Sequence, residues 1–207
     1  MTDSSSPHAA EDTVQIPARE VSLPGILARP AQAKGVVLFA HGSGSSRHSP
    51  RNAYIARVLQ DADLATLLID LLSEPEATDR EHVFAIDLLA DRLLAITRWL
   101  NGYRRTQGLR VGYFGASTGA GAALQAAAQS PSLVSAVVSR GGRPDLAEAF
   151  LPRVTAPTLL VVGANDPPVL SLNEEAFNLL TCPKELAVVP GATHLFEEPG
   201  KIGRAHV

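Results

Sequence analysis

Residues 110–124 read RVGYFGASTGAGAAL, and the turn at their centre, Gly115-Ala116-Ser117-Thr118-Gly119, decides how the rest of the chain is read. An apolar strand-forming run, RVGYF, leads into it, and an Ala-rich stretch of helix-forming composition leads out. A serine on so sharp a strand-to-helix turn is held with its side chain above the sheet, and the flanking glycines let neighbouring backbone pass closely. G-x-S-x-G alone is weak evidence in a chain with this much Gly and Ser; its strand-turn-helix setting gives it weight.

Outward from the turn, the same alternation recurs. GVVLFA (35–40) and ATLLID (65–70) are continuous apolar runs of the kind a strand buried on both faces requires. A helical stretch begins near Pro50 between them. From His82 to Leu100, Val83, Ile86, Leu89, Ala90, Leu93, Ile96 and Leu100 form an apolar stripe that predicts one long helix ended by Gly102. VSAVVS, TLLVVG, a helical NEEAFNLL and ELAVVP follow the turn. Buried strands alternating with helices predict an α/β fold, a doubly wound and mostly parallel sheet of about seven to eight strands. VQIP and VSLPGILA, with Pro17 and Pro24, read as an edge hairpin. Residues 1–13 are Ser-, Ala- and acid-rich and are expected to be a flexible N-terminal tail. The domain is placed at 14–199, with 200–207 as a short C-terminal tail.

A length of 207 residues suits one domain. Hydrophobic residues at 45% and charged ones at 19% exclude a disordered chain or a fibre. The 18 basic residues against 21 acidic ones give a net charge of -3, with no basic surplus to bind a phosphate backbone, so no nucleic-acid partner is expected. The single cysteine, Cys182, excludes an internal disulfide and any multi-cysteine metal site; no metal is expected. No apolar run approaches a membrane span, and the N-terminus lacks a basic signal region, so the expectation is a cytoplasmic protein without a membrane partner.

Two further groups convert the turn into chemistry. Asp166 follows TLLVVG by one short loop, and His194 follows ELAVVPG in the same way. In a serine hydrolase the histidine takes the serine proton and returns it to the leaving group, while the acid holds the imidazole tautomer. His206 also follows Asp166 but has no strand before it. The oxyanion needs two amide donors: Thr118, after the nucleophile at a helix N-terminus, and Ser43, preferred over Gly44, in the HGSGSS loop after GVVLFA. His41 in that loop is read as bracing its own backbone. Gly115, Gly119 and Gly121 also spell G-x-x-x-G-x-G, similar to the nucleotide loop of short-chain dehydrogenases. No acidic ribose ligand follows at the expected distance, however, and none of Tyr54, Tyr103 or Tyr113 has Lys four residues later.

RVGYFGASTGAGAAL, LLVVGANDPPV, VVPGATHLFEEPG and FAHGSGSSRHSPRN together resemble the dienelactone-hydrolase-like branch of the α/β-hydrolase superfamily over residues 20–199. Ser117, Asp166, His194 is the chain order of that superfamily. The resemblance implies a serine hydrolase of carboxylic esters that needs no cofactor, although Ser117 stands where dienelactone hydrolases carry Cys. Between Ser139 and Thr158 there is no room for a cap domain. The open cleft predicts small or short-acyl esters rather than emulsified fats. Arg140 and Arg143, in SRGGRPD, are candidates to attract an anionic substrate. The alternatives are thioester, lactone or acyl-transfer chemistry with the same triad, or a non-catalytic binding module on the hydrolase fold. The stretch GKIGRAHV is too short for the helix with which such folds usually end. That predicts an uncovered sheet face and a homodimer.

Overall fold

The computed structural model describes residues 9–198 and 200. Its eight strands form one sheet in the order β1-β2-β4-β3-β5-β6-β7-β8. The strands are β1 (Ala10–Ala18), β2 (Val21–Arg29), β3 (Gly35–Ala40), β4 (Leu64–Ile69), β5 (Arg110–Ala116), β6 (Ala136–Arg140), β7 (Thr158–Gly163) and β8 (Lys184–Val189). β1 and β2 pair antiparallel, as do β2 and β4; every pairing from β4 through β3 to β8 is parallel. Six helices accompany them: α1 (Pro50–Asp61), α2 (Glu74–Ala77), α3 (Arg80–Val83), α4 (Ile86–Gly102), α5 (Thr118–Gln129) and α6 (Pro167–Leu179). A 3-10 helical segment spans Pro144–Arg153.

The central strands are apolar along their length because both faces are covered. Leu38, Phe39 and Ala40 of β3 and Tyr113 and Phe114 of β5 are at most 3% exposed, and each large side chain so buried contributes about 1.5–3 kcal/mol of transfer free energy. Tyr113 meets its polar requirement inside the core, its hydroxyl 2.7 Å from that of Thr97 on α4. The helix after the turn, α5, is almost wholly buried between the sheet, α4 and the 3-10 segment. Its alanines let those layers close on one another.

Three expectations need correction. Ala10–Thr13, assigned to the tail, belong to β1, paired with Arg29–Ile26 of β2; Asp12 is further tied to Arg105. Backbone pairing outweighs the polar composition that suggested a tail. The hairpin lies at the sheet edge through β1 alone, since β2 is flanked by β4. Pro24 sits just before the β2–β4 ladder, which begins at Gly25, so its missing N–H costs no bond there. Finally, the long helix starts at Ile86, not His82: Asp79 caps α3 and the chain breaks at Phe84-Ala85, which leaves Val83 on a separate short helix. His206 lies outside the described residues, as does nearly all of 199–207, on which the missing helix and the homodimer depend. No described helix is long and apolar enough to cross a membrane.

Parallel strands all point their carboxyl ends to one edge, and there the functional candidates gather. The order β4-β3-β5 reverses the winding of the chain at β3, opening a crevice at that edge. Residues after β3, at the ends of β5 and β6, and after β8 line the cleft there.

Candidate active site

Ser117 occupies the turn between β5 and α5 with φ 49 and ψ -124, a left-handed conformation that a non-glycine residue adopts only under constraint. The constraint is visible. Its amide donates to Arg140 O at 3.4 Å, and its carbonyl accepts from Arg143 N at 3.0 Å and Ala120 N at 3.1 Å. Two glycines are required by close approach. A Cβ at Gly119 would overlap the carbonyl oxygen of Ala40, and one at Gly42 would lie 2.7 Å from Ser117 Cβ. The turn is therefore pressed against the end of β3 and the loop that follows it. Ser117 stands at the N-cap position of α5 without a side-chain capping bond, so that role does not occupy its hydroxyl.

His194 and Asp166 arrive from neighbouring strands. Asn165 N donates to Ala192 O at 2.9 Å, which ties the loop after β7 to the loop after β8. Asp166 occupies the N-cap of α6, yet its carboxylate makes no capping bond. It accepts instead from His194 Nδ1 at 2.7 Å, with the Asp166 side chain 14% exposed. An imidazole whose Nδ1 is held by a carboxylate presents Nε2 as its remaining polar atom. His194 and Ser117 line one cleft of about 320 Å³, together with Gly42–Ser45, Arg51, Asn52 and Arg140. Ser43 is thus in the cleft wall, and buried Thr118 follows Ser117 at the start of α5.

The loop after β3 is braced by a second network. His41 Nε2 lies 3.1 Å from Asp70 Oδ1, and His41 Nδ1 lies 2.9 Å from Gly42 O. Asp70, following β4, also accepts from Arg47 N at 2.6 Å and from the Arg47 guanidinium. Burial alone would raise the carboxyl, but these bonds outweigh it and hold Asp70 down to about 2. Cys182 is a buried free thiol, 3.7 Å from Thr158 Oγ1 and remote from the cleft.

The two candidate arginines separate. Arg140, the last residue of β6, lines the cleft and is 6% exposed. Arg143 does not reach it: beyond the Gly141-Gly142 turn its guanidinium makes a two-point bond to Asp145, at 2.8 and 2.7 Å, and only its amide serves the serine turn. Of the two arginines expected at the substrate, Arg140 thus stands at the cleft and Arg143 is turned to Asp145 beyond the Gly141 reversal (φ 50). Sequence reasoning also missed Arg51, whose guanidinium is bonded to Glu197 at 2.8 Å, and Phe196, whose ring lies 5.5 Å from the Arg140 guanidinium. No local pattern marks either one. Among the described residues no group of three or more His, Cys, Asp or Glu side chains is placed to hold a metal.

Known proteins with this architecture can now be set beside it. The crystal structure of a dienelactone hydrolase from Anabaena variabilis ATCC 29413 is 56% identical, with a TM-score of 0.93 over 96% of this chain and 94% of that one. Est1E from Butyrivibrio proteoclasticus, 15% identical, shares the fold with a TM-score of 0.77 over 90% of this chain and 91% of that one. Proteins of Mycobacterium tuberculosis strains CDC 1551 and H37Rv, each named "Putative phosphoribosyl transferase", are 56% identical over 196 residues, which is 95% of this chain. The chain spans 44% of the length of those curated relatives. The family model described as "Dienelactone hydrolase family" matches residues 23–206, the stretch that carries the serine turn, Asp166 and His194, and the chain belongs to that family of α/β hydrolases.

Proposed function

We propose that this chain is a serine carboxylesterase for small or short-acyl esters, with Ser117 as nucleophile, His194 as general base and acid, and Asp166 as the group that orients His194. The observation that carries the reading is His194: its Nδ1 is bound to Asp166 at 2.7 Å, and its ring shares a cleft with a serine on a constrained turn. His194 Nε2 takes the Ser117 proton as Oγ bonds to the ester carbon. The amides of Ser43 and Thr118 receive the oxyanion. Collapse breaks the bond to the alcohol, which leaves with that proton. Water then adds to the acyl-enzyme, its proton passing through His194 back to Ser117, and the acid departs. No cofactor enters this cycle.

The transferase name of the mycobacterial relatives belongs to proteins more than twice as long as the matched region, and it supplies no role for Ser117, His194 and Asp166. We therefore assign ester hydrolysis to the matched region. The test is Ser117→Ala assayed with p-nitrophenyl acetate, with fluorophosphonate labelling of the unaltered chain. Turnover should fall at least about a thousandfold with the fold retained, and labelling should map to Ser117. Near-normal turnover in the variant would overturn the assignment, and absence of labelling would favour a binding module.

A further inference from the structure

Among the described residues Arg140 is a buried cation without a counter-ion. It is 6% exposed, its Nε has no hydrogen-bond partner, and among the described residues no carboxylate is paired with it. The nearby Arg51 adds like charge and is itself bonded to Glu197. Burial, reinforced by Arg51, lowers Arg140 to about 10, so it remains charged at neutral pH. Desolvated charge without a partner is costly, and a planar guanidinium fork in a cleft suits an incoming oxyanion.

A second, apolar cavity meets the same loop from the other side. It measures about 70 Å³; Leu71, Leu72, Ala77, Val83 and Leu89 make its apolar side, and Gly42–Ser45, Thr118 and the mutually bonded His41 and Asp70 complete the lining. Its roof, α2 and α3, is fastened rather than loose. Arg92, 4% exposed on α4, makes a two-point bond to Glu76 at 2.7 and 2.9 Å and donates to Leu71 O at 2.7 Å. Glu76 also closes onto Ser73 N at 2.8 Å. At about 70 Å³ against about 320 Å³ for the cleft, it is the smaller of the two and suits a two- or three-carbon group.

The position of His194 orients an ester between these cavities. The leaving alcohol must face His194, which returns the proton, so the alcohol portion lies in the cleft that His194 shares with Arg140. Adjacency supports this, since a Cβ at Gly141, next to Arg140, would sit 3.5 Å from His194 Nδ1. The acyl portion then falls to the apolar side, beside Thr118. We propose that the site takes a short-chain acyl ester whose alcohol carries an anionic group, carboxylate or phosphate, with the acyl chain under α2 and α3 and the anion on Arg140. This rests on the esterase reading and deepens it.

The experiment compares 4-acetoxybenzoate, 4-acetoxyphenyl phosphate, neutral methyl 4-acetoxybenzoate and 4-hexanoyloxybenzoate. Each kcat/KM is divided by the ester's own hydroxide-catalysed rate. At least one anionic acetate should exceed the neutral one by about tenfold or more, and whichever of the two leads identifies the anion. The acetyl ester should exceed the hexanoyl ester by a similar factor. Arg140→Gln should bring the anionic-to-neutral ratio to about one, and Arg140→Lys should restore part of it. Should the variants fail to fold, the ratios in the unaltered chain still decide. Equal turnover of anionic and neutral acetates, a ratio that survives Arg140→Gln, or hexanoyl turnover matching acetyl overturns the proposal. Turnover that survives Ser117→Ala overturns the esterase reading instead.

Discussion

Two histidine–aspartate pairs border the loop after β3, alike in composition and unlike in what they leave free. In His194–Asp166 the carboxylate holds one ring nitrogen, at 2.7 Å, and the His194 side chain remains 38% exposed in the cleft. In His41–Asp70 both ring nitrogens face acceptors, Asp70 Oδ1 and Gly42 O, the His41 side chain is only 17% exposed, and Asp70 is shared with Arg47. A nitrogen already committed to a fixed acceptor cannot take a proton from a serine. The first pair is therefore fitted for proton transfer and the second for holding a loop in place. The lesson is that proximity of His and Asp suits proton transfer only where one ring nitrogen stays uncommitted.

That contrast can be broken by measurement. The largest expected effect is His194→Ala, a loss of at least about 10⁴-fold in kcat with the unfolding midpoint nearly unchanged, measured by p-nitrophenyl acetate turnover and urea unfolding. Asp166→Asn should lower kcat about 10³-fold, because the amide no longer selects the tautomer that presents Nε2. A small loss in either would return the histidine to a merely structural role. The second pair should show the opposite profile. Asp70→Asn should destabilise the fold by about 1–2 kcal/mol, read from urea midpoints at neutral pH, with a far smaller loss of turnover. His41→Gln should cost about 1 kcal/mol, the smallest effect of the set, because it surrenders one bond to Asp70 while Arg47 keeps the others.

The acid limb of stability provides a sharper version. Asp70 sits at about 2 in the fold against an ordinary 3.8, and Glu76, held mainly by its Arg92 hydrogen bonds, at about 2 against 4.5. Folded values below the unfolded ones mean that the unfolded chain binds protons first as pH falls. The stabilisation is thus whole above about pH 5 and is lost progressively between about pH 4.5 and 2. Urea midpoints measured from pH 6 to pH 3 should fall, and Asp70→Asn should flatten part of that slope. An unchanged slope in the variant would show that Asp70 is not the group responsible.

Legibility in the sequence followed the range of the physics. The buried strands, the serine turn and the placement of Asp166 and His194 one loop beyond β7 and β8 are written in local apolar runs and turn chemistry, and they were readable. The ends of elements were less so. The break at Phe84-Ala85 divides α3 from α4 within a single apolar stripe, and β1 takes in Ala10–Thr13 because β2 supplies partners that no composition reveals.

The side-chain environments were decided only in three dimensions. Arg140 and Arg143 stand three residues apart in one motif, yet one ends a buried strand inside the cleft while the other turns away to Asp145. Asp70 and His41, 29 residues apart, meet because β3 and β4 are parallel neighbours that finish together. The apolar cavity under α2 and α3 lies beside a helix that buried Arg92 holds through Glu76, 16 residues earlier in the chain. By itself the sequence determined the order of strands, turn and loops, since buried runs and sharp turns are properties of neighbouring residues. Tertiary structure alone decided which histidine, among the described residues, keeps a free nitrogen and which arginine of the motif keeps an unpaired charge, because both depend on partners brought together from distant segments by the sheet.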